Sequence, residues 1–312
     1  MTCFALSLAG GVSLRCRSLE THATLPAEVK RIVFLGDSIT YSGTYVSLVE
    51  AYFITRYPKR VIEFINAGLP SETVSGLTEE GHAGGKFPRP DLHERLGRVL
   101  EASKPDLVFA CYGMNDGIYL PLNEDRFARF REGMEWLHGQ VTQTHAKIVH
   151  VTPPTFDEVK GGHAGYSATL GKYSDWLLKQ RTAAGWDVVD LHGPMDAYLV
   201  ERRKTEPEFA YAADGVHANE LGHWIIAKQI LLHLGAKDIA DAVDGKAMLA
   251  GHRGGQELLK FVQRRQEITK DAWLTATGHK RPGMKQGLPL KEAQSKAAEV
   301  EKQIRALVMP SQ

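Results

Sequence analysis

Three short stretches of this sequence could do chemistry: Gly36-Asp37-Ser38-Ile39-Thr40, Gly113-Met114-Asn115-Asp116 and Asp214-Gly215-Val216-His217. They supply a serine, an asparagine, and an aspartate and histidine three positions apart. A serine hydroxyl is a weak nucleophile near neutral pH. It needs a base within hydrogen-bond reach, and the base needs a partner that orients it. His217 and Asp214 suit those two roles with Ser38 as nucleophile, because their spacing favours a tight turn that aims both side chains into one cleft. Acyl transfer also develops an oxyanion, which must meet preorganised donors. The candidates are the backbone N–H groups of Ser38 and Gly68 and the side-chain amide of Asn115. Gly68 has no Cβ, so its backbone could approach a substrate closely.

These residues need elements to carry them. Residues 31–35 are an apolar run that stops at Gly36, and 61–65 are a second run ending at Asn66-Ala67-Gly68. Residues 106–111 and 147–151 repeat the pattern, and 186–191 close the series. Helical periodicity separates the runs, over residues 44–57, 91–103, 124–144 and 166–183, and a broadly apolar helix over 218–234 follows the last motif. Strands and helices alternating five times predict an α/β fold with a parallel sheet and helices on both faces. Ligands of such sheets gather at the carboxyl ends of the strands. Ser38 follows the first strand, Gly68 ends the second and Asn115 follows the third. A strand order 2-1-3-4-5 would make Ser38 and Asn115 neighbours.

Each motif has an ordinary structural use. Ser38 could cap a helix, Gly-x-Asn-Asp could be a turn, and Asp-x-x-His could be a cap beside a surface histidine. Their joint occurrence in this order, two of them after strands, favours catalysis. The elbow G-x-S-x-G of α/β-hydrolases is absent, and the acid lies too close to the histidine for that fold. The three motifs and the glycine after the second strand resemble the SGNH (GDSL-type) hydrolase superfamily, over about residues 30–235. The resemblance implies a three-layer α/β/α flavodoxin-like fold. It also implies Ser38 as nucleophile, His217 as base, Asp214 as its partner, Gly68 and Asn115 completing the oxyanion hole, and no metal or cofactor. Members of that superfamily cleave esters of acetylated sugars, lipids, thioesters and aryl alcohols.

The remaining sequence narrows the reading. With 312 residues and a formal net charge of +1, the chain has no field that suggests nucleic acid as a partner. No stretch approaches the roughly 18 apolar residues of a membrane span. Three cysteines, Cys3, Cys16 and Cys111, form no C-x-x-C pair. Cys111 ends an apolar run and reads as a buried thiol. His223, six residues after His217, lacks the i, i+4 partner of a helical zinc site, and no metal is expected. Asp37, Lys86 and Arg89 are possible substrate contacts, the last two on a polar, Gly-rich loop after the second strand. Asp190-Leu191-His192 and Trp224 read as structural.

Three segments are expected: a leader over 1–24, a hydrolase domain over 25–235, and a helical C-terminal extension over 236–312. The leader is apolar over 3–14, with Thr21-His22-Ala23 as a conceivable cleavage site, but no Lys or Arg precedes the apolar run. Export and a non-signal leader both remain open. In the extension, Ala293, Ala297, Val300, Ile304 and Leu307 form a narrow seam near a 3.5-residue period, which must pack on the body or on another copy as a homo-oligomer. His279, Lys280 and Arg281 are expected to cap a helix end rather than to reach the cleft.

The expected function is hydrolysis of short-chain or acetyl esters, including acetylated carbohydrates, through an acyl-enzyme. The rivals are a lysophospholipase or thioesterase acting on longer chains and a carbohydrate-binding module with a vestigial site. Activity should fall on acidification as His217 protonates.

Overall fold

A computed structural model describes residues 24–309. Cys3, Cys16 and the conceivable cleavage site lie outside the described residues. Five parallel strands form one sheet in the order β2-β1-β3-β4-β5: β1 (Arg31–Gly36), β2 (Glu63–Asn66), β3 (Leu107–Cys111), β4 (Lys147–Val151) and β5 (Asp187–Val189). The central strand explains the layering. In β1, alternate side chains point to opposite faces. Ile32 and Phe34 enter a core with the Thr44–Arg56, Glu220–His233 and Gly255–Thr277 helices, whereas Val33 and Leu35 enter a second core with Leu96, Phe130 and Leu177. Two cores on the two faces of one sheet make the three-layer α/β/α arrangement expected from the sequence. Phe34 stacks on Phe109 of β3 at 5.1 Å and faces Phe64 of β2 at 6.4 Å, tying the three strands that carry the rim.

The register aligns Gly36 with Cys111 and Phe34 with Asn66. Both chain segments that leave these pairs therefore start at the same edge. Gly36 must be glycine, since a Cβ there would stand 2.2 Å from Thr40 Oγ1 and 2.8 Å from the Cys111 carbonyl. Cys111 is buried as expected, and burial pushes its thiol well above the usual range.

The His192–Arg203 helix falls where the sequence pattern marks no helix. Thr152 Oγ1 accepts the N–H groups of Leu191 and His192 at 2.8 and 2.9 Å, and Asp190 Oδ1 accepts that of Gly193 at 3.1 Å. Pro194 sits in the first turn, where a missing N–H costs nothing. Asp190 and His192 thus serve the structure, and Trp224 is buried.

The extension is built into the body. Leu258 and Val262 of the Gly255–Thr277 helix join one core, and Trp273 joins the other. Arg265 and Gln266 donate to the buried Glu50 carboxylate at 2.6 and 2.8 Å, and Gln266 Nε2 also donates to the Phe64 carbonyl at 2.9 Å. The last helix, Leu290–Val308, buries Ala293, Ala297, Val300, Ile304 and Val308. Val308 rather than Leu307 completes the buried seam, which is covered within the chain. No helix among the described residues is long and apolar enough to cross a membrane.

Candidate active site

Ser38 begins the Ser38–Ser42 helix, immediately past the end of β1. Asp37 caps that helix, its Oδ1 accepting the Ile39 N–H at 2.9 Å. The geometry brings Ser38, His217 and Asp214 into one hydrogen-bonded chain. Ser38 Oγ and His217 Nε2 are 2.8 Å apart, and His217 Nδ1 and Asp214 Oδ2 are 2.6 Å apart. Asp214 Oδ1 accepts the N–H groups of Val216 and His217 at 3.0 and 2.8 Å. This side-chain-to-backbone turn explains the Asp-x-x-His spacing. Gly215 holds φ +80° at its centre, where a Cβ would stand 2.6 Å from the Asp157 carbonyl and the Gly161 backbone.

Partial burial pushes the Asp214 carboxyl up. The hydrogen bonds from the His217 ring and from the backbone N–H groups outweigh that and bring it down to about 2. Asp214 is therefore an acceptor at all ordinary pH values, so Nδ1 of His217 carries the proton. Nε2 then offers its lone pair to the Ser38 hydroxyl. Both side chains of the pair are 56% exposed, so the base opens to solvent and to substrate.

On the other side of Ser38 the polar groups are buried. Asn115 is oriented by its neighbours: Arg89 Nη1 and the Tyr119 hydroxyl donate to its Oδ1 at 2.9 and 3.3 Å. That fixes Nδ2 inward, where it donates to the Glu72 carbonyl at 3.1 Å and makes only a long 3.4 Å contact with Asp37 Oδ2. One amide hydrogen is thus weakly engaged and remains open to an oxyanion. Glu79 grips Arg89 with both oxygens, at 2.6 and 2.7 Å, and the guanidinium lies 5.3 Å from the Tyr119 ring.

Beneath these groups lie three buried carboxyls, Asp37, Glu72 and Asp116. Burial pushes Asp37 up to about 7; the Ile39 N–H and His217 oppose the rise, and the Asp116 and Glu72 charges add to it. Burial raises Glu72 as well, against its pairing with Arg95, and raises Asp116 against three backbone donors. Those donors, the N–H groups of Val74, Ser75 and Gly113, tie the 73–75 segment to the Gly-x-Asn-Asp turn at 2.8 to 2.9 Å.

Gly68 is placed differently from its expected use. Its N–H donates to Asn66 Oδ1 at 3.0 Å. A Cβ on Gly68 would stand 2.4 Å from Tyr41 N and 2.9 Å from the Asp37 carbonyl, so the glycine permits backbone-to-backbone packing. The next turn contains a residue that the sequence reading passed over. Glu72 N–H donates to the Leu69 carbonyl at 3.1 Å, and Ser71 has φ +69° after Pro70, the pattern of a type II turn. Ser71 adjoins the carbonyl that holds Asn115 Nδ2, and its own N–H has no acceptor among the described residues. The Pro-Ser pair after β2 was the available signal. Arg89 does reach the site, as a partner of Asn115. Lys86 is exposed and is not brought to the triad. His223 is buried one helical turn behind the site, bonded to Ser42 Oγ at 2.9 Å, and burial drives it down to about 4. Among the described residues, no group of three His, Cys, Asp or Glu is arranged to hold a metal.

Comparison with known proteins agrees with this arrangement. The model of the GDSL-like lipase/acylhydrolase family matches residues 34–225. Among solved structures, a diltiazem-metabolizing enzyme of gut microbes, BT4096, aligns with TM-score 0.55 and 22% identity over 70% of this chain; the match spans about half of that protein, 49%. LAE5, an alpha/beta hydrolase enzyme from the metagenome of Lake Arreo, Spain, aligns with TM-score 0.52 and 26% identity over 67% of this chain and 96% of its own. Axe2, an acetylxylan esterase from Geobacillus stearothermophilus, aligns with TM-score 0.51 and 23% identity over 66% and 94%. The search of curated proteins gave no match. The residues matched by the family model run from β1 into the helix after His217 and so contain all three motifs: the chain belongs to the GDSL-like lipase/acylhydrolase family and is an SGNH-type serine ester hydrolase.

Proposed function

We propose that the protein deacylates short-chain esters, acetyl groups on carbohydrates foremost, with Ser38 as nucleophile. The observation that carries this reading is the unbroken chain from Ser38 Oγ through His217 to Asp214, at 2.8 and 2.6 Å. His217 Nε2 takes the hydroxyl proton as Ser38 Oγ attacks the ester carbonyl. The N–H groups of Ser38 and Ser71 and the open hydrogen of Asn115 Nδ2 receive the oxyanion. His217 then gives the proton to the departing alcohol oxygen, leaving an acyl-serine. Water, deprotonated by the same nitrogen, releases the acid and restores the serine. Asp214 holds the imidazole and stabilises its cation. In this reading Ser71 replaces Gly68 as the second backbone donor, and Arg89 positions Asn115.

The polar surroundings support a hydrophilic alcohol. A cavity of about 320 Å³ beside Arg89 is lined by Asp91, Glu94, Lys280 and Arg281 among others. The resemblance in fold to Axe2, described as an acetylxylan esterase, points the same way. One observation favours longer acyl chains: a cavity of about 530 Å³ beside Asn219 and Leu221 is lined by Leu48, Val243 and Leu259. A p-nitrophenyl ester series from acetate to palmitate separates the two readings. The acetyl reading expects a Ser38-dependent rate that is highest at acetate and lost in Ser38→Ala. A maximum at long chains transfers the function to lipid or thioester substrates. Glycan binding without Ser38-dependent turnover at any length leaves only the binding module.

A further inference from the structure

The segment after the Gly255–Thr277 helix folds back over the loop that carries Arg89. Arg281 lies over the Phe87 ring, with its guanidinium carbon 5.1 Å from the ring centre. Its Nη1 donates to the Pro282 carbonyl and to Met284 Sδ, at 3.2 and 3.1 Å, both within its own loop. Its Nε is buried with no acceptor. No carboxylate among the described residues pairs with it. This is unusual, because a partly buried guanidinium normally finds an acid, and burial alone draws Arg281 below the ordinary arginine range.

The cavity of about 320 Å³ in which Arg281 stands has carboxylates as well, but they are occupied. Glu94 pairs with Arg98 at 2.9 Å, and Asp91 Oδ1 accepts from His93 N at 3.0 Å and bonds its Nδ1 at 2.6 Å. Arg89 is held by Glu79. Lys280, 83% exposed and only 4.0 Å from Glu94 at its nearest, adds a second loosely held cation. Asp91 keeps its charge unless His93 is protonated, but Arg281 and Lys280 together exceed it, so the balance of the cavity is positive.

The cavity also borders the reaction centre. Leu69, which lines it, begins the turn that presents Ser71, and Arg89, which lines it too, donates to Asn115. Arg281 is near enough to Tyr41 to act on the ionisation of its hydroxyl. Tyr41 follows Ser38 by three positions on one short helix, where side chains stand roughly 5–6 Å apart.

We infer that Arg281, with Lys280, forms a subsite for an anionic group on the ester substrate, a carboxylate or a phosphate monoester set back from the scissile bond. This deepens the proposed function and rests on it. The carbohydrate would be an acidic one, with the guanidinium of Arg281 donating to the anion.

The test compares two pairs of substrates on the full chain. One pair is acetylated trigalacturonate and the same compound with its carboxylates converted to amides; the other is acetylated glucose 6-phosphate and acetylated glucose. The anionic member of at least one pair should be preferred, through a lower KM, and the pair that shows it identifies the anion. Arg281→Ala should reduce that preference by about 10-fold to 100-fold, and Arg281→Lys should retain part of it. Equal use of both members of each pair, or a preference that survives Arg281→Ala in a protein of unchanged melting temperature, overturns the inference. Calorimetric binding of unacetylated trigalacturonate and of inorganic phosphate to Ser38→Ala, with and without Arg281→Ala, needs no turnover. Arg281-dependent binding of either ligand by a protein that hydrolyses no ester would keep the subsite and discard the esterase reading.

Discussion

Two aspartates flank the same serine, and their surroundings push them in opposite directions. Asp214 is more than half exposed, receives three hydrogen bonds from a turn of four residues, and is brought down to about 2. Asp37 is buried directly beneath Ser38, shares its surroundings with Glu72 and Asp116, and is pushed up to about 7. The difference shows how one rim can supply a fixed negative charge to the base and yet disfavour a charge on Asp37, close to where the proposed oxyanion would develop. A fully ionised Asp37 would oppose that oxyanion; a neutral Asp214 would release the imidazole from its working tautomer.

Asp214→Asn attacks the exposed side of this comparison and should have the largest effect. The amide can no longer enforce protonation at Nδ1, so turnover of p-nitrophenyl acetate should fall by about 10³–10⁴ with little change in KM. A loss below tenfold would mean that the histidine is oriented by other means. Arg89→Ala attacks the buried side. It removes the 2.9 Å anchor of Asn115 Oδ1, so the amide can rotate. We expect kcat to fall by about 10-fold to 100-fold, with KM changed little and Arg89→Lys intermediate. A change confined to KM would instead return Arg89 to the role of substrate contact.

Asp37 gives the smallest effect, read as stability against pH. Its folded value of about 7 lies above the ordinary 3.8, so between those values the folded protein binds more of this proton than the unfolded chain does. The contribution is complete below about pH 4 and declines as pH rises to about 7. Asp37→Asn lacks that titration, so the melting temperature of the parent relative to Asp37→Asn should drop across this window. A constant difference would show that Asp37 is ionised like an ordinary surface acid.

How far these features were legible depends on how local their causes are. Ser38, Asn115, Asp214 and His217 could be read because each sits in a short motif, and the order of apolar runs placed two of them after neighbouring strands. The parallel sheet followed from the same alternation, whereas the order 2-1-3-4-5 was an added assumption in keeping with the flavodoxin-like fold that the family resemblance implies. Gly68 misled because the fate of its N–H depends on the Asn66 side chain, while the open donor belongs to Ser71, whose positive φ comes from a turn after Pro70. Arg89 read as a loop cation because Asn115, its partner, is 26 positions away. The His192–Arg203 helix escaped notice because Thr152, forty positions earlier, satisfies its first donors. The extension read as a separate helical segment because Arg265 and Gln266 meet Glu50 more than two hundred positions away. The arm carrying Arg281 looked like a helix end for the same reason, with its contact to Phe87 visible only in the folded chain.

The central claim, that Ser38 is the nucleophile set between these two aspartates, is tested most directly by trapping it. The intact protein is treated with a fluorophosphonate and the adduct located by peptide mass spectrometry. The account predicts one adduct, on Ser38, formed with loss of esterase activity and slowed by orders of magnitude in His217→Ala. An adduct on another residue, or complete inactivation with Ser38 unmodified, would contradict it.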